Sequence, residues 1–205
     1  MTKKEFDGRY FSDKVNLLAG VDEAGRGPVA GPVVAAAVIF DKETFIPDIG
    51  DSKKISEKKR EELYDEIYEK ALAVGVGIVS VDEIEKINIL NAALKAMKLA
   101  VKKLNIAPDF ILIDGNKTFE CSIPTECVVK GDDKSFAIGA ASIVAKVTRD
   151  RIMRELDLRF PQYFWKKNKG YGTKEHVEAI KKYGVSEHHR KSFLRKILAE
   201  QESLF

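Results

Sequence analysis

A chain of 205 residues is long enough to bury the core of one large domain. Its apolar content of 44% with 33% charged residues excludes an intrinsically disordered protein, and its longest apolar run, Pro32 to Phe40, is far short of the roughly 20 residues of a membrane helix. The net charge of +3 is unevenly spread: residues 146–196 carry +9, residues 1–145 carry −4 and the last nine −2.

The segment Met1–Asp13 lacks the apolar core of a secretory signal, which predicts a cytoplasmic protein. In chain order, Asn16–Val21 reads as a buried strand and Val33–Phe40 as a second, joined by a Gly- and Pro-rich connection. Ser56 caps a helix in which Glu57, Glu61 and Glu62 suit the positive end, while Leu63, Ile67 and Leu72 recur at helical spacing. Leu72–Val81 reads as a third strand. Asp82 then caps a helix that runs through Ile87, Leu90, Leu94, Met97 and Leu104. Phe110–Ile113 is a short continuous apolar run, the mark of a strand covered on both faces, and Glu126–Val129 reads as another strand. A long helix extends from about Lys134 to Leu158 and stops at Pro161; its small apolar half, Ala137–Ala145, predicts close packing on the sheet. Two shorter helices, near Lys174–Tyr183 and His189–Glu200, complete the pattern. The expectation is an α/β protein forming a single domain over residues 1–205. A mixed central β-sheet flanked by helices occupies about 16–160, and a basic C-terminal helical segment about 161–205.

That basic segment offers a face suited to a polyanion, with affinity that falls as salt rises. Tyr163, Phe164, Trp165 and Tyr171 lie among its cations, where rings can stack on bases or sugars.

Four carboxylates carry the strongest chemical signal. Asp22 and Glu23 end the first strand, Asp114 ends the run Phe110–Ile113, and Asp132 lies in Lys130-Gly-Asp-Asp133, ahead of the long helix. The Gly-Asp spacing favours Asp132 over Asp133. Three strand ends of one sheet can bring such groups together. Adjacent carboxylates repel, and a hard divalent cation removes that cost. Oxygen donors without His or Cys suit Mg²⁺ or Mn²⁺ and argue against Zn²⁺. Two such ions about 4 Å apart can activate water and stabilise the leaving oxygen of a phosphodiester. Any one of these acids could instead be a turn former, so the argument depends on their convergence. Cys121 and Cys127 have no second Cys or His at metal-ligand spacing and read as ordinary half-buried residues. His176, His188 and His189 read as surface residues without a chemical role.

The glycine run from Gly20 to Gly31 fails both nucleotide-binding motifs. Arg26-Gly27 stands where a P-loop has Lys-Ser/Thr, and the strand-like Val33–Ile39 follows where a dinucleotide fingerprint needs a helix. What remains is a backbone open to close approach, with one arginine in its middle.

Asp22-Glu-Ala-Gly-Arg-Gly27 with Pro28 and Ala30-Gly-Pro32 resembles the signature of the ribonuclease HII family. Further matches follow in order: Asp51-Ser-Lys53, Ile113-Asp-Gly115, Lys130-Gly-Asp132, Ala141–Lys146 with Arg149-Asp150, Gly170-Tyr-Gly-Thr173 with Glu175-His176, and His189-Arg-Lys-Ser-Phe193. The resemblance implies a ribonuclease H-like fold. It implies that Asp22, Glu23, Asp114 and Asp132 are catalytic and bind two Mn²⁺ or Mg²⁺ ions. Gly25 and Gly27 would meet a 2′-hydroxyl through their main chain, the group that separates RNA from DNA. Arg26 would meet backbone phosphate, and Tyr171 would stack on the sugar beside the scissile bond. Lys53, Ser142 and Lys146 would contact phosphate; Ser142 and Lys146, four apart on a helix, share a face. His189 would help to place the C-terminal segment.

The implied activity is cleavage on the 5′ side of ribonucleotides, in RNA–DNA hybrids and in duplex DNA holding a single ribonucleotide. The ends would be 3′-hydroxyl and 5′-phosphate, and the use removal of misincorporated ribonucleotides and RNA primers. A monomer, away from membranes and with a replication clamp as candidate partner, completes the expectation. Two rivals remain open. A resolvase or integrase of the same fold would not need Gly25-Arg-Gly27, and a non-catalytic nucleic-acid binder would gain nothing from clustered acids.

Overall fold

The computed structural model describes residues 1–49 and 55–195, so Lys53 with its Asp51-Ser-Lys53 motif, and the end of the helix expected up to Glu200, lie outside the described residues. Small and β-branched residues make Leu18–Ala24 (β1) and Val33–Phe40 (β2) the centre of a five-stranded mixed sheet. With Ala73–Val79 (β3), Phe110–Asp114 (β4) and Thr125–Val128 (β5), the order is β3-β2-β1-β4-β5. Strand β1 pairs antiparallel with β2 and parallel with β4, and β4 pairs parallel with β5. The sheet and its flanking helices agree with the expected α/β class.

Alternation along the strands splits the core into two layers. Ala19, Val21, Ile111 and Ile113 face Val81–Lys102 (α3), packing with Ala92, Ala96 and Ala100. On the other face Ala36 and Val38 meet Leu63 and Ile67 of Glu57–Lys70 (α2) and Ala140 and Val144 of Phe136–Arg159 (α5). Each fully buried Val, Leu or Ile side chain here contributes about 2 kcal/mol, and each Ala less than half of that. Helix α5 crosses β1 at Gly20, where an added Cβ would lie 2.1 Å from the Ala137 carbonyl carbon. The small apolar half of α5 thus packs as closely as its composition predicts.

Several boundaries differ from the sequence reading. Strand β1 does not stop at Val21: β2 offers Ala35 and Val34 as ladder partners for Glu23 and Ala24, so both acids lie inside the strand. Ser80, not Asp82, caps α3, its hydroxyl accepting from the Glu83 amide at 3.4 Å. Within α3, Asn88 takes φ 65° and restarts the helix, its Oδ1 accepting from the Asn91 amide at 3.1 Å. A short N-terminal helix, Lys3–Gly8 (α1), closed by a Thr2–Glu5 capping box, went unforeseen because six residues are too few for a periodicity.

The C-terminal segment carries a 3₁₀ turn at Pro161–Tyr163, a short helix Trp165–Asn168 whose label is α6, and Lys174–Tyr183, which is α7 once Gly131–Lys134 is taken as α4. Tyr163, Trp165, Ala179, Ile180 and Leu194 bury themselves with Val29, Ala30 and Met153. This corrects two expectations. Tyr163 and Trp165 are core residues rather than stacking platforms; of the four aromatic candidates only Phe164 and Tyr171 stay exposed. His176 and His189 are fully buried rather than superficial, His176 accepting from the Trp165 indole N–H at 2.9 Å. Cys121 and Cys127 are free and half-buried, as read. Among the described residues no helix is long and apolar enough to cross a membrane.

Candidate active site

Parallel pairing sets three strand ends side by side. Val21 is in register with Ile113, so Asp22 and Asp114 follow one another across adjacent strands. Asp114 is in register with Val128 of β5, after which Lys130 takes a left-handed φ of 56° and turns the chain into α4, which holds Asp132. The Gly131 amide closes the arrangement by donating to Asp114 Oδ1 at 2.6 Å. Asp22, Glu23, Asp114 and Asp132 line one cleft of about 560 Å³, together with Gly25, Arg26, Gly27, Ser142, Lys146 and Tyr171. Site residues read from the sequence are thus brought together, Lys53 aside.

Alternation points Asp22 toward α5 and Glu23 toward the α3 layer. Asp22 is buried and bonded to the Ser142 hydroxyl; its Oδ1 also accepts from the Glu23 amide at 2.6 Å. Burial pushes the Asp22 carboxyl far above the ordinary range, and the charges of Glu23 and Asp114 push the same way. Burial also raises Glu23, although Arg26 Nη1 lies 3.1 Å from its Oε1 and opposes the shift. Asp132 Oδ1 accepts from the Asp133 amide at 3.0 Å.

Ser142 sits as expected on the cleft face of α5, but its hydroxyl serves Asp22. Lys146, one turn on, lines the cleft while its ammonium is paired with Asp150 at 2.5 and 2.6 Å, and burial lowers its pKa. Among the described residues no three His, Cys, Asp or Glu side chains already form a metal cage. The donor set still fits a hard divalent ion, because these are oxygen ligands whose buried charges repel and gain from a shared cation.

The Gly25–Pro32 loop is shaped by two buried arginines that sequence reasoning passed over. Arg149 of α5 donates to the carbonyls of Pro32 (3.0 Å), Ala30 (3.0 Å) and Lys169 (2.9 Å). Arg190 donates to those of Gly31, Gly25 (2.7 Å) and Arg26 (3.3 Å). Burial lowers Arg149 to about 10 and Arg190 to about 9, which leaves both cationic at neutral pH. Both stand within family-like motifs, Arg149-Asp150 and His189–Phe193, but nothing in a linear pattern says that an arginine will point inward.

Backbone bonds sew the same loop to the C-terminal segment. Val29 and Ala30 amides donate to Gly170, Gly31 donates to His188, and Arg190 donates to Val29. Gly25 needs its glycine: φ is +102°, and a Cβ would meet Arg149 Nε at 2.3 Å. Gly27 is different, since a Cβ there would find only the Tyr171 ring, at 3.6 Å. Tyr171 is 46% exposed at the cleft rim, and its carbonyl is held by His176 Nδ1 at 2.8 Å. His176 Nε2 in turn lies 3.1 Å from His189 Nε2, so the two buried histidines brace the tyrosine's backbone.

The ribonuclease HII family model matches residues 19–196. The ribonuclease HII of Acetivibrio thermocellus is 56% identical over 182 residues, covering 89% of this chain and 71% of that relative. Among solved structures, the ribonuclease H2 of Pyrococcus horikoshii aligns with a TM-score of 0.74 at 29% identity, covering 88% of this chain and 96% of that one. The ribonuclease HII of Archaeoglobus fulgidus, solved as a complex with PCNA, aligns with a TM-score of 0.69 at 24% identity, covering 85% and 94%. The sheet and its flanking helices share the ribonuclease H-like fold of these structures.

Proposed function

The chain belongs to the ribonuclease HII family and is a ribonuclease H, and from that premise we propose that it cuts on the 5′ side of a ribonucleotide, in RNA–DNA hybrids and at single ribonucleotides in duplex DNA. The observation that carries the reading is that the four carboxylates share one cleft with the Gly25–Gly27 loop and Tyr171. A generic phosphodiesterase needs the acids but has no use for a ribose-facing loop.

The family depends on divalent metal. Asp22, Glu23, Asp114 and Asp132 would hold two Mg²⁺ or Mn²⁺ ions, which when bound supply the charge that activates water and offsets the leaving oxygen. Ser142 fixes the Asp22 carboxylate by its hydrogen bond. The main chain of Gly25 and Gly27 takes the 2′-hydroxyl, and the absence of a Cβ at Gly27 lets the sugar approach. Arg26 exchanges Glu23 for substrate phosphate, leaving that carboxylate available. Tyr171 packs on the deoxyribose next to the cut. Lys146 and Lys53 support the backbone phosphates, while the Ser142 hydroxyl, read from the sequence as a phosphate contact, is given to Asp22. Water attack with departure of the 3′ oxygen leaves 3′-hydroxyl and 5′-phosphate ends.

In the cell this activity would remove misincorporated ribonucleotides and RNA primers, from a monomer in the cytoplasm. A replication clamp is the proposed protein partner, by likeness of fold to the PCNA-bound relative; co-elution of the purified pair would test it. The activity test offers a duplex with one embedded ribonucleotide, its all-DNA twin, and the Asp22→Asn protein. Cleavage of the ribonucleotide duplex alone is expected, and only by the parent. Equal cutting of both duplexes, or full activity of Asp22→Asn, would sink the reading.

A further inference from the structure

Asp132 is the one proposed metal ligand that lies outside the sheet, on the four-residue helix α4, and a part of the chain that precedes the family match contacts it. Two side chains of α1, one helical turn apart, reach its two flanks. Lys3 Nζ donates to the backbone carbonyl of Asp132. Asp7 is only 2% exposed, and its Oδ2 accepts from the Ala137 amide in the first turn of α5 at 2.9 Å. Burial pushes the Asp7 carboxyl up, against its hydrogen bonds to Ser135 and Ala137.

Between these two anchors, the Ser135 amide donates to the Gly131 carbonyl at 2.7 Å and its hydroxyl caps α5 by accepting from Ile138 at 3.1 Å. Helix α1 is itself fixed by Phe6, buried with Leu18, Leu112, Val128 and Ile138. A carboxylate is a costly way to fill a buried spot unless its bonds matter, and an apolar side chain would pack there without that cost.

We propose that Lys3 and Asp7 are positioning residues for Asp132, holding the Gly131–Ala137 connection so that its carboxylate faces the cleft. The proposal rests on Asp132 acting as a metal ligand, the reading given above. Support of this kind is worth about 10-fold or more in metal affinity when removed.

The test uses the full chain with Lys3→Met, Lys3→Arg, Asp7→Ala and, as a packing control, Ile67→Ala in α2. Mn²⁺ affinity is measured by calorimetry without substrate, alongside amide hydrogen exchange over residues 130–139 and the thermal midpoint. Lys3→Met and Asp7→Ala are expected to weaken Mn²⁺ binding by about 10-fold and to speed exchange at Gly131–Ala137. Lys3→Arg, which keeps a donor, should recover most of the affinity. Ile67→Ala, in the core under α2 and away from α1, should lower the thermal midpoint while its Mn²⁺ affinity stays with the parent's. Lys3 is half-buried on a short helix, so Lys3→Met remains folded and decides the matter if Asp7→Ala does not fold. Parent-like affinity in Lys3→Met, or an equal loss in Ile67→Ala, overturns the proposal alone. A folded parent that binds no Mn²⁺ overturns the metal-site reading and this proposal with it.

Discussion

The Arg190 guanidinium donates to the Gly31 carbonyl from both Nε and Nη2, at 3.0 and 2.8 Å, and reaches Gly25 and Arg26 with its remaining donors. It stands where water would otherwise solvate three inward-facing carbonyls. Arg190→Met leaves them unmet, and the expected loss is about 3 kcal/mol of stability, read as a lower urea midpoint. Arg190→Lys, with a point charge in place of a planar fork, should recover only part of it. A midpoint unchanged in Arg190→Met would show that the loop keeps its shape unaided.

Gly25 and Gly27 should separate fold from function. Gly25→Ala forces a side chain into left-handed backbone and against Arg149, so both stability and cleavage fall, stability by about 1–3 kcal/mol. Gly27→Ala meets only Tyr171 and should melt with the parent. Its cleavage at a single ribonucleotide should nevertheless fall by about 100-fold, because the added methyl displaces the sugar by roughly an ångström. Thermal scans and a gel assay on the two proteins suffice.

Asp22→Asn should be more stable than the parent in metal-free buffer. The folded-state pKa of Asp22 is raised by burial and then by Glu23 and Asp114, so its stabilising form is the protonated one, and that contribution is lost as pH rises through the folded value. At pH 8 the parent carries the cost and Asn does not. Adding Mn²⁺ should lift the parent's thermal midpoint and leave that of Asp22→Asn nearly still. Parallel shifts in the two proteins would remove Asp22 from the metal site.

Acid should weaken the C-terminal layer in particular. Burial lowers His176, His188 and His189, the last to about 4, with His176 adding to its shift. Neutral imidazoles therefore stabilise the fold above the free value of 6.5, and this contribution is lost as pH falls from there toward about 4. Asp7, Asp22 and Glu23, all raised, respond in the opposite sense. His189→Asn should isolate the histidine part: its urea midpoint should change less than the parent's between pH 7 and pH 4.5.

The four carboxylates and the sheet that gathers them were legible because apolar runs, strand lengths and the acids that follow them are local features. Apolar periodicity located α2, α3, α5 and α7 within a few residues. It missed α1, too short to repeat, and the break at Asn88, where one side chain serves as an internal cap. It misjudged Tyr163, Trp165, His176 and His189 because nothing local says that a polar aromatic ring will find a buried partner; Trp165 and His176 satisfy one another across 11 residues of chain. The inward arginines escaped for the same reason, since all but one of their acceptors, the Lys169 carbonyl, are backbone atoms more than a hundred residues away.

Arg190 also bears on the order in which the protein becomes active during synthesis. The Gly25–Gly31 loop emerges from the ribosome early, yet its carbonyls acquire Arg190 as donor only about 160 residues later. Until then the nascent chain has its acids and its sheet but not the settled Gly25–Gly31 loop. Chains cut short before Arg190 should be poor nucleases, because their site is only half built.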